Sequence, residues 1–557
     1  MNKLLFLIAF IPFSILAQTL TVQNGGTLTI EKEASVTVDA GLIVDADDNS
    51  GIGTVILNSD SKKFASLIVT TSTGIITYNR HVNKEGLDEW DLIGAPVTDL
   101  QKKDFVETNS LRIVNIGTNY AIGEYDNTKT VENYVAHDPN ADNDPWVYFQ
   151  KDSGTSSSSE IFNSGEGYSM ATWPVFGSSV GETMQFTGEV ETTEVSVPVT
   201  LADTHQYKGW NLVANPYPSY IVGSSGIADS NLTTDFLNAN AASFDTGYKA
   251  IYGYNANGSG NDGSKRYTAY NLTGSTGNNT DNADVGTDGA FTIAPGQGFF
   301  VKVATSGNIS FTPEMRTHTP SNDDFIAGRG NNTSYELVLE MYNNTDEIGS
   351  TKLYFKEGLT LGLDPGYDAG AYRQTTPIST RLVEEDQGIN FSINAMSDAD
   401  INSTTIPLVL NQGAGQVISI GIASNSLSED VKVYLEDTLN STRTLLQENN
   451  FELTTQSAIS EAGRFYIHLT TSVLANEDVL NNSLVNMYKG IGNNFITIEG
   501  LRDEASIKLY DILGKQVRTK VLSASNETLS TIGLSSGIYI IQLKSNNQIL
   551  TKKVQID

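Results

Sequence analysis

Oxygen-bearing side chains at alternating positions are the first residues in this sequence whose types and spacing could do chemistry. His137-Asp138-Pro139-Asn140-Ala141-Asp142-Asn143-Asp144 sets donors at Asp138, Asn140, Asp142 and Asp144. A calcium ion takes about six to eight oxygens, and several from one tight turn is how a calcium loop opens. The central glycine and the closing bidentate glutamate of such a loop are absent. The segment is therefore a candidate calcium site, set against the plainer reading of a solvated Asp/Asn-rich loop. Asp45-Ala46-Asp47-Asp48-Asn49 is a shorter version of the same pattern.

Other chemistry finds less support. The five histidines, His81, His137, His205, His318 and His468, lie far apart, and none stands in an H-E-x-x-H arrangement. No G-x-S-x-G nucleophile elbow is present, and the absence of cysteine rules out thiol catalysis. A glycosidase needs only two acids about 5 to 10 Å apart, but spacing in sequence does not show which of 65 acidic residues meet. Trp146, Trp173, Tyr217 and Tyr220 are candidates for a carbohydrate platform, although aromatics in strands more often belong to the core. The expectation is a protein that is not an enzyme and whose ligand, glycan or protein, the sequence does not name.

Composition bounds the setting. The chain has 557 residues, 65 acidic against 34 basic, and a net charge of −31. Such a surface repels phosphate backbones, so nucleic acid is excluded as a partner. With no cysteine, an exported fold uses no disulfides. Met1-Asn2-Lys3 followed by the apolar run Leu4 to Leu16 and then Ala17 has the form of a cleaved signal peptide, residues 1–17. No later segment reaches the roughly 20 apolar residues of a membrane-spanning helix.

The elements that would carry any site are strands. Leu20-Thr21-Val22, Leu28-Thr29-Ile30 and Val36-Thr37-Val38 recur at eight-residue intervals with period-2 alternation, so residues 18–84 read as a short β-solenoid or a meander. From 85 to 320 a longer repeat appears. Trp90-Asp91-Leu92-Ile93-Gly94-Ala95-Pro96 is echoed by Trp210-Asn211-Leu212-Val213-Ala214-Asn215-Pro216, and Gly165-Glu166-Gly167-Tyr168 by Gly296-Gln297-Gly298-Phe299. Each copy is followed by a strand ending in Phe-Thr, at Phe186-Thr187 and Phe311-Thr312, which implies either a duplicated β-module or two halves of one pseudo-symmetric β-domain. Residues 334–474 alternate in short strands with turns such as Leu363-Asp364-Pro365-Gly366, the pattern of a β-sandwich. Residues 485–557 read as a compact Ig-like sandwich. The fold class is all-β, in tandem β-domains with few helices.

The last block carries a resemblance. Ile507-Lys508-Leu509-Tyr510-Asp511-Ile512-Leu513-Gly514-Lys515-Gln516-Val517, Leu534-Ser535-Ser536-Gly537-Ile538-Tyr539 and the basic strand with Lys552-Lys553-Val554 resemble, in order, the motifs of type A sorting domains of the type IX secretion system. Gln548 stands where a glycine is common, and Asp557 where many members are basic or neutral. The resemblance marks Tyr510, Asp511, Gly514, Lys515, Gly537, Tyr539, Lys552 and Lys553 as sorting-signal residues. It implies a Bacteroidota source, the type IX translocon and its sorting protease as partners, removal of the tail at the surface, and lipopolysaccharide anchoring or release. It places the protein at the outer-membrane surface or outside the cell and says nothing of what residues 18–484 do there; for these the expectation is a non-enzymatic, adhesin-like or structural protein built from tandem β-domains. The runner-up is a polysaccharide-binding or polysaccharide-degrading surface protein. Trp210 to Pro218, Pro295 to Val301 and Asp364 to Asp368 also resemble parts of large surface proteins of that group, without implying an activity.

Overall fold

The computed structural model describes residues 19–556 apart from 24, 46–52, 83–89, 117–118, 129–144, 152–159, 174–180, 203–207, 230, 255–266, 276–288, 321–324, 328–333, 403, 472–484, 491–493, 502–503, 524–526 and 546–547. Strands account for 53% of it and helices for 5%, in line with the expectation that helices are few. The chain is all-β, with several β-domains. The signal peptide and the candidate calcium residues Asp138, Asn140, Asp142 and Asp144 lie outside the described residues, as do Ala46 to Asn49.

Between the solenoid and the meander, the parallel pairing selects the solenoid. Leu20–Val22 pairs in parallel with Leu42–Val44, which pairs with Ser72–Thr73; Thr27–Ile30 pairs with Thr54–Asn58, which pairs with Ile75–Val82. Ser35–Val38 pairs with Ser66–Val69. The triplets eight residues apart are therefore successive sides of one coil, each on its own sheet, and their stacking partners come three strands later. Val22, Ile30, Val38, Leu42, Val55, Leu67 and Val69 fill the interior. One sheet of the solenoid continues into the next segment, because Ile75–Val82 also pairs antiparallel with Glu182–Glu189. A single core runs from Val22 to Val190, across the sequence boundary at 84.

The duplication is real in space. In the first copy Asp91–Ile93 pairs with Tyr168–Met170, which pairs with Asn119–Tyr125, which pairs with Trp146–Gln150. In the second copy Trp210–Ala214 pairs with Gly298–Lys302, then Ile251–Tyr254, then Tyr267–Asn271. The registers match: Ile93 faces Tyr168 as Val213 faces Phe299. Each copy also has a short helix, Lys102–Thr108 and Phe236–Ala239. Phe105 meets Phe186 at 4.7 Å, and Phe236 meets Phe311 at 5.1 Å. An asparagine closes each helix in the same way. Asn109 Nδ2 donates to Phe105 O (2.9 Å) and Gln185 O (3.0 Å), while its Oδ1 accepts from Gln185 N. Asn240 Nδ2 donates to Phe236 O (3.0 Å) and Ser310 O (2.9 Å), and its Oδ1 accepts from Ser310 N.

The two copies meet in a reciprocal contact. Gly94 N donates to Gly296 O at 2.9 Å, and the equivalent Ala214 N donates to Gly165 O at 2.8 Å. Isolated bridges pair Ile93 with Gln297 and, equivalently, Val213 with Glu166. Backbone meets backbone here, which only small residues permit. A Cβ on Gly298 would lie 2.7 Å from Ile93 N, and one on Gly167 would lie 2.6 Å from Leu212 Cγ. At the centre a Cβ on Gly94 would lie 2.3 Å from the Cβ of Ala214, so only one of these two equivalent positions can carry a side chain.

Residues 335–470 form one eleven-stranded sheet, in place of the separate sheets of the expected sandwich. It runs from Thr442–Leu445 at one edge to Phe451–Thr454 at the other and curls on itself, so Leu446 and Phe451 share one core with Leu337, Ile406 and Ile467. Its turn Asp364-Pro365-Gly366 reaches the second copy, where Leu272 N donates to Gly366 O at 3.0 Å. Buried Asp368 fixes that turn by accepting from Asp364 N (2.6 Å) and Ala395 N (2.7 Å). Burial holds its carboxyl well above the usual range. Residues 486–556 form a three-stranded and a four-stranded sheet around a separate core.

Replacing Asn109 or Asn240 with alanine removes three hydrogen bonds and leaves strand backbone groups unpaired. Each substitution should destabilise the protein by about 2 kcal/mol or more, to a similar degree. Calorimetric unfolding of the single variants checks this; a midpoint equal to the parent's in either one contradicts the equivalence.

Candidate functional site

The residues that the resemblance marks as a sorting signal lie on one sheet and in its first hairpin turn. Ala505–Asp511 pairs with Gln516–Leu522 on one side and Gly537–Ser545 on the other, and Gly537–Ser545 pairs with Gln548–Ile556. Asp511 faces Tyr539, and Tyr539 faces Val554, next to Lys552 and Lys553. The hairpin explains two of the motif residues. Asp511 Oδ1 accepts from Leu513 N (3.0 Å) and Lys515 N (2.9 Å), an Asx turn. Gly514 has φ +81, a left-handed conformation that suits glycine. Tyr539 Oη donates to Ser535 O at 2.8 Å and pins the preceding turn, while its ring is buried. Ile512 and Leu513 at the hairpin tip are 73% and 88% exposed, although both are apolar. Lys552 reaches Asn486 Oδ1 (3.4 Å), and Lys553 pairs with Glu385 of the preceding sheet (2.6 Å). Burial pulls the Lys552 ammonium below its ordinary value, against the nearby Asp386 and Glu384.

A second concentration of side chains lies on the face shared by the two copies. Trp90 meets Tyr148 (5.8 Å), Tyr125 meets Trp146 (5.3 Å) and Phe300 (4.8 Å), and Tyr267 stacks on Tyr372 (3.9 Å, 18°). Trp210 is buried at the far end of this belt, 4.5 Å from Tyr372 and 4.7 Å from Tyr252. Over the second copy the belt is covered by the eleven-stranded sheet: Tyr252 Oη donates to Gly370 O at 2.7 Å. Over the first copy, Trp90, Trp146 and Tyr148 are half-buried. Among the four aromatic residues singled out from sequence, Tyr217 and Tyr220 are core residues, 0% and 2% exposed. Trp146 belongs to the belt, and Trp173 is 38% exposed.

One further constellation could be read as catalytic. Thr405 Oγ1 lies 3.1 Å from His468 Nδ1, and His468 Nε2 lies 2.7 Å from Glu436 Oε2. A hydroxyl, an imidazole and a carboxylate in series resemble a nucleophile triad. However, Thr405 and His468 are register partners inside paired strands, so no turn offers amide donors to a developing oxyanion. Glu436 also faces Arg443 at 3.7 Å. The arrangement is a cross-strand polar ladder of the kind that stabilises a sheet face. Sequence spacing did not find it, because its members come from three strands. His318, also remote in sequence, bridges Thr37 and Ser66 of the solenoid at 2.7 Å each. Among the described residues no group of three or more histidines and carboxylates could hold a metal ion.

Comparison with known proteins follows the same division. A family described as a domain of unknown function (DUF8693) matches residues 7–469, and the secretion system C-terminal sorting domain matches residues 492–557. No curated protein matches the chain. The sorting domain indicates export by the type IX system to the cell surface or extracellular space, and engagement of that machinery. No helix among the described residues is long and apolar enough to cross a membrane.

Replacing Asp511 with alanine removes both turn bonds, and alanine at Gly514 is forced into a left-handed conformation. Each change should cost about 1 kcal/mol of sorting-domain stability. Urea unfolding read by hydrogen exchange in residues 505–522 measures it; an unshifted midpoint in Asp511→Ala would remove the turn's structural role.

Proposed function

The chain belongs to the DUF8693 family and carries a secretion sorting domain, and from this we propose a non-enzymatic surface or extracellular protein, adhesin-like or structural. The observation that carries the reading is how the scaffold uses its reactive groups. Glu436, His468 and Thr405 form a ladder, Asp437 holds Arg464 in a two-bond pair, and Asp368 is a buried turn fastener. These chemistry-bearing side chains are tied into the framework, and in sequence the segments joining the paired strands 119–125 and 146–150, and 251–254 and 267–271, are long and polar. Loops held on a rigid scaffold are the usual place for recognition.

A second reading, polysaccharide binding, is favoured by the half-buried belt of Trp90, Trp146 and Tyr148. Flat ring faces on a sheet suit the apolar faces of sugar rings. Calcium at Asp138 to Asp144 would fit either reading, since that segment directly precedes Trp146.

A glycan array and a cell-adhesion screen on the mature protein, each with and without calcium, distinguish the two. The adhesin reading expects adhesion to cells or proteins that survives Trp146→Ala. Binding confined to sugars and reduced roughly tenfold or more by Trp146→Ala would replace it with the polysaccharide reading. Turnover of any arrayed glycan would overturn the non-enzymatic assignment.

A further inference from the structure

The last strand of the sorting domain, Gln548–Ile556, carries a lysine on its inner side. Leu550, Val554 and Ile556 pack on the core, and Lys552 shares their face by the two-residue period of a strand. Burial pulls its ammonium below the ordinary value, toward the neutral amine, and a neutral amine is a nucleophile. What it meets is an amide. Lys552 Nζ lies 3.4 Å from Oδ1 of Asn486, a residue only 4% exposed. Asn486–Tyr488 ends the three-stranded sheet and Gln548–Ile556 ends the four-stranded one, so the pair closes a corner between the two.

The other end of the amide is held by a buried carboxylate. Asn486 Nδ2 donates to Asp386 Oδ2 at 2.8 Å. Chemistry fixes this orientation, since only the amide nitrogen can donate to a carboxylate and only the amide oxygen can accept from a lysine. Asp386 comes from the segment between Ile378–Thr380 and Phe391–Met396 of the eleven-stranded sheet, and its side chain is wholly buried. Its Oδ1 accepts from Gly388 N (2.9 Å) and faces Arg381 Nη1 (3.4 Å), which leaves Oδ2 aimed at the Asn486 nitrogen. An inward lysine on an end strand also discourages pairing with another chain. That duty calls for neither an amide nor a carboxylate beside it.

We propose that Lys552 and Asn486 join in an intramolecular isopeptide bond, with Asp386 as the catalytic group that moves the proton. The lysine first gives its extra proton to solvent. The Nζ lone pair then forms a bond to Asn486 Cγ, and the Cγ–Nδ2 bond breaks. One proton passes from Nζ through Asp386 Oδ2 to Nδ2, which leaves as ammonia. Nothing is oxidised or reduced and no co-reactant enters. Three fixed neighbours supply the effective concentration, and burial keeps water from competing for the amide. Asn486 and Lys552 both line a cavity of about 370 Å³, which gives the ammonia a way out. The bond closes a loop across 66 positions of the sorting domain, and the group that makes it belongs to the preceding sheet, so it forms only once the two have docked. It goes beyond the export reading and does not rest on it.

Peptide mass spectrometry of the full-length chain, purified with its sorting domain attached, tests this. Digestion should release one linked pair of peptides, containing Asn486 and Lys552, lighter by about 17 Da than the two together. Cyclisation of a terminal glutamine costs an intact chain the same mass, so the linked pair is the readout. Lys552→Arg and Asn486→Ala should each abolish it. Asp386→Asn keeps the shape of the carboxylate and should lower the linked fraction by about tenfold or more, with hydrogen-exchange protection of strand 335–343 equal to the parent's. Separate, unlinked peptides in the parent overturn the proposal, a result that depends on no variant folding. Undiminished linkage in Asp386→Asn overturns the role given to the carboxylate.

Discussion

Two backbones pressed together at a local two-fold axis set the terms for most of this structure. The Trp-containing strand of each copy ends in a turn that lies against the Gly-x-Gly turn of the other, and the exchange of Gly94–Gly296 and Ala214–Gly165 hydrogen bonds locks them. Main chain leaves no room for a side chain at Gly298, and the Leu212 side chain leaves little at Gly167. Everything else hangs from this contact. The first copy continues the solenoid sheet through Ile75–Val82, and the second copy seats the eleven-stranded sheet through Tyr252 and Leu272. A buried arginine braces the axis: Arg80 donates to Pro295 O (3.1 Å) and to Gln297 Oε1 (3.1 Å), joining the solenoid strand to the second copy's turn.

The distribution of cores divides permanence from separability. Where two segments share apolar side chains, pulling them apart exposes that surface to water, at about 25 cal/mol per Å². Where they meet through hydrogen-bonded and charged groups, water can replace most of what is lost. The family match over 7–469 and the sorting match over 492–557 fall on either side of the same line. The apolar clusters of 337–469 and 487–556 fall on the same two sides.

Much of this was legible in the residues, and the failures have physical causes. The Trp-to-Pro and Gly-x-Gly landmarks announced the duplication because they make the axial contact, where few residue types fit. A further landmark was overlooked: Asp104-Phe105 to Asn109 and Asp235-Phe236 to Asn240 share their spacing and their hydrogen bonds. It was hidden by short helices in a chain read for strands. The eight-residue spacing of the solenoid triplets gave the sides of a coil but not its stacking. Coil length is irregular: Leu20 stacks on Leu42, whereas Val36 stacks on Leu67. Alternation marked 334–474 as strands without finding all of them, and could not show that one sheet curls around the core, because pairing order is not a local property. Tyr217 and Tyr220 went from platform candidates to core for the ordinary reason that strand aromatics fill interiors. Of the residues that the resemblance marks, Asp511 and Gly514 have a local structural reason, since hairpin chemistry dictates an aspartate and a glycine at fixed offsets.

The pairing of Gly94 with Ala214 has a consequence for how the gene can change. Tandem copies are open to gene conversion, in which one overwrites the other and erases their differences. At this axis, overwriting the first copy with the second would set two methyl groups within 2.3 Å of each other. Conversion in the opposite direction would leave two glycines, which fit. At this axis one methyl group fits between the copies and two do not, so the two directions of exchange are not sterically equal.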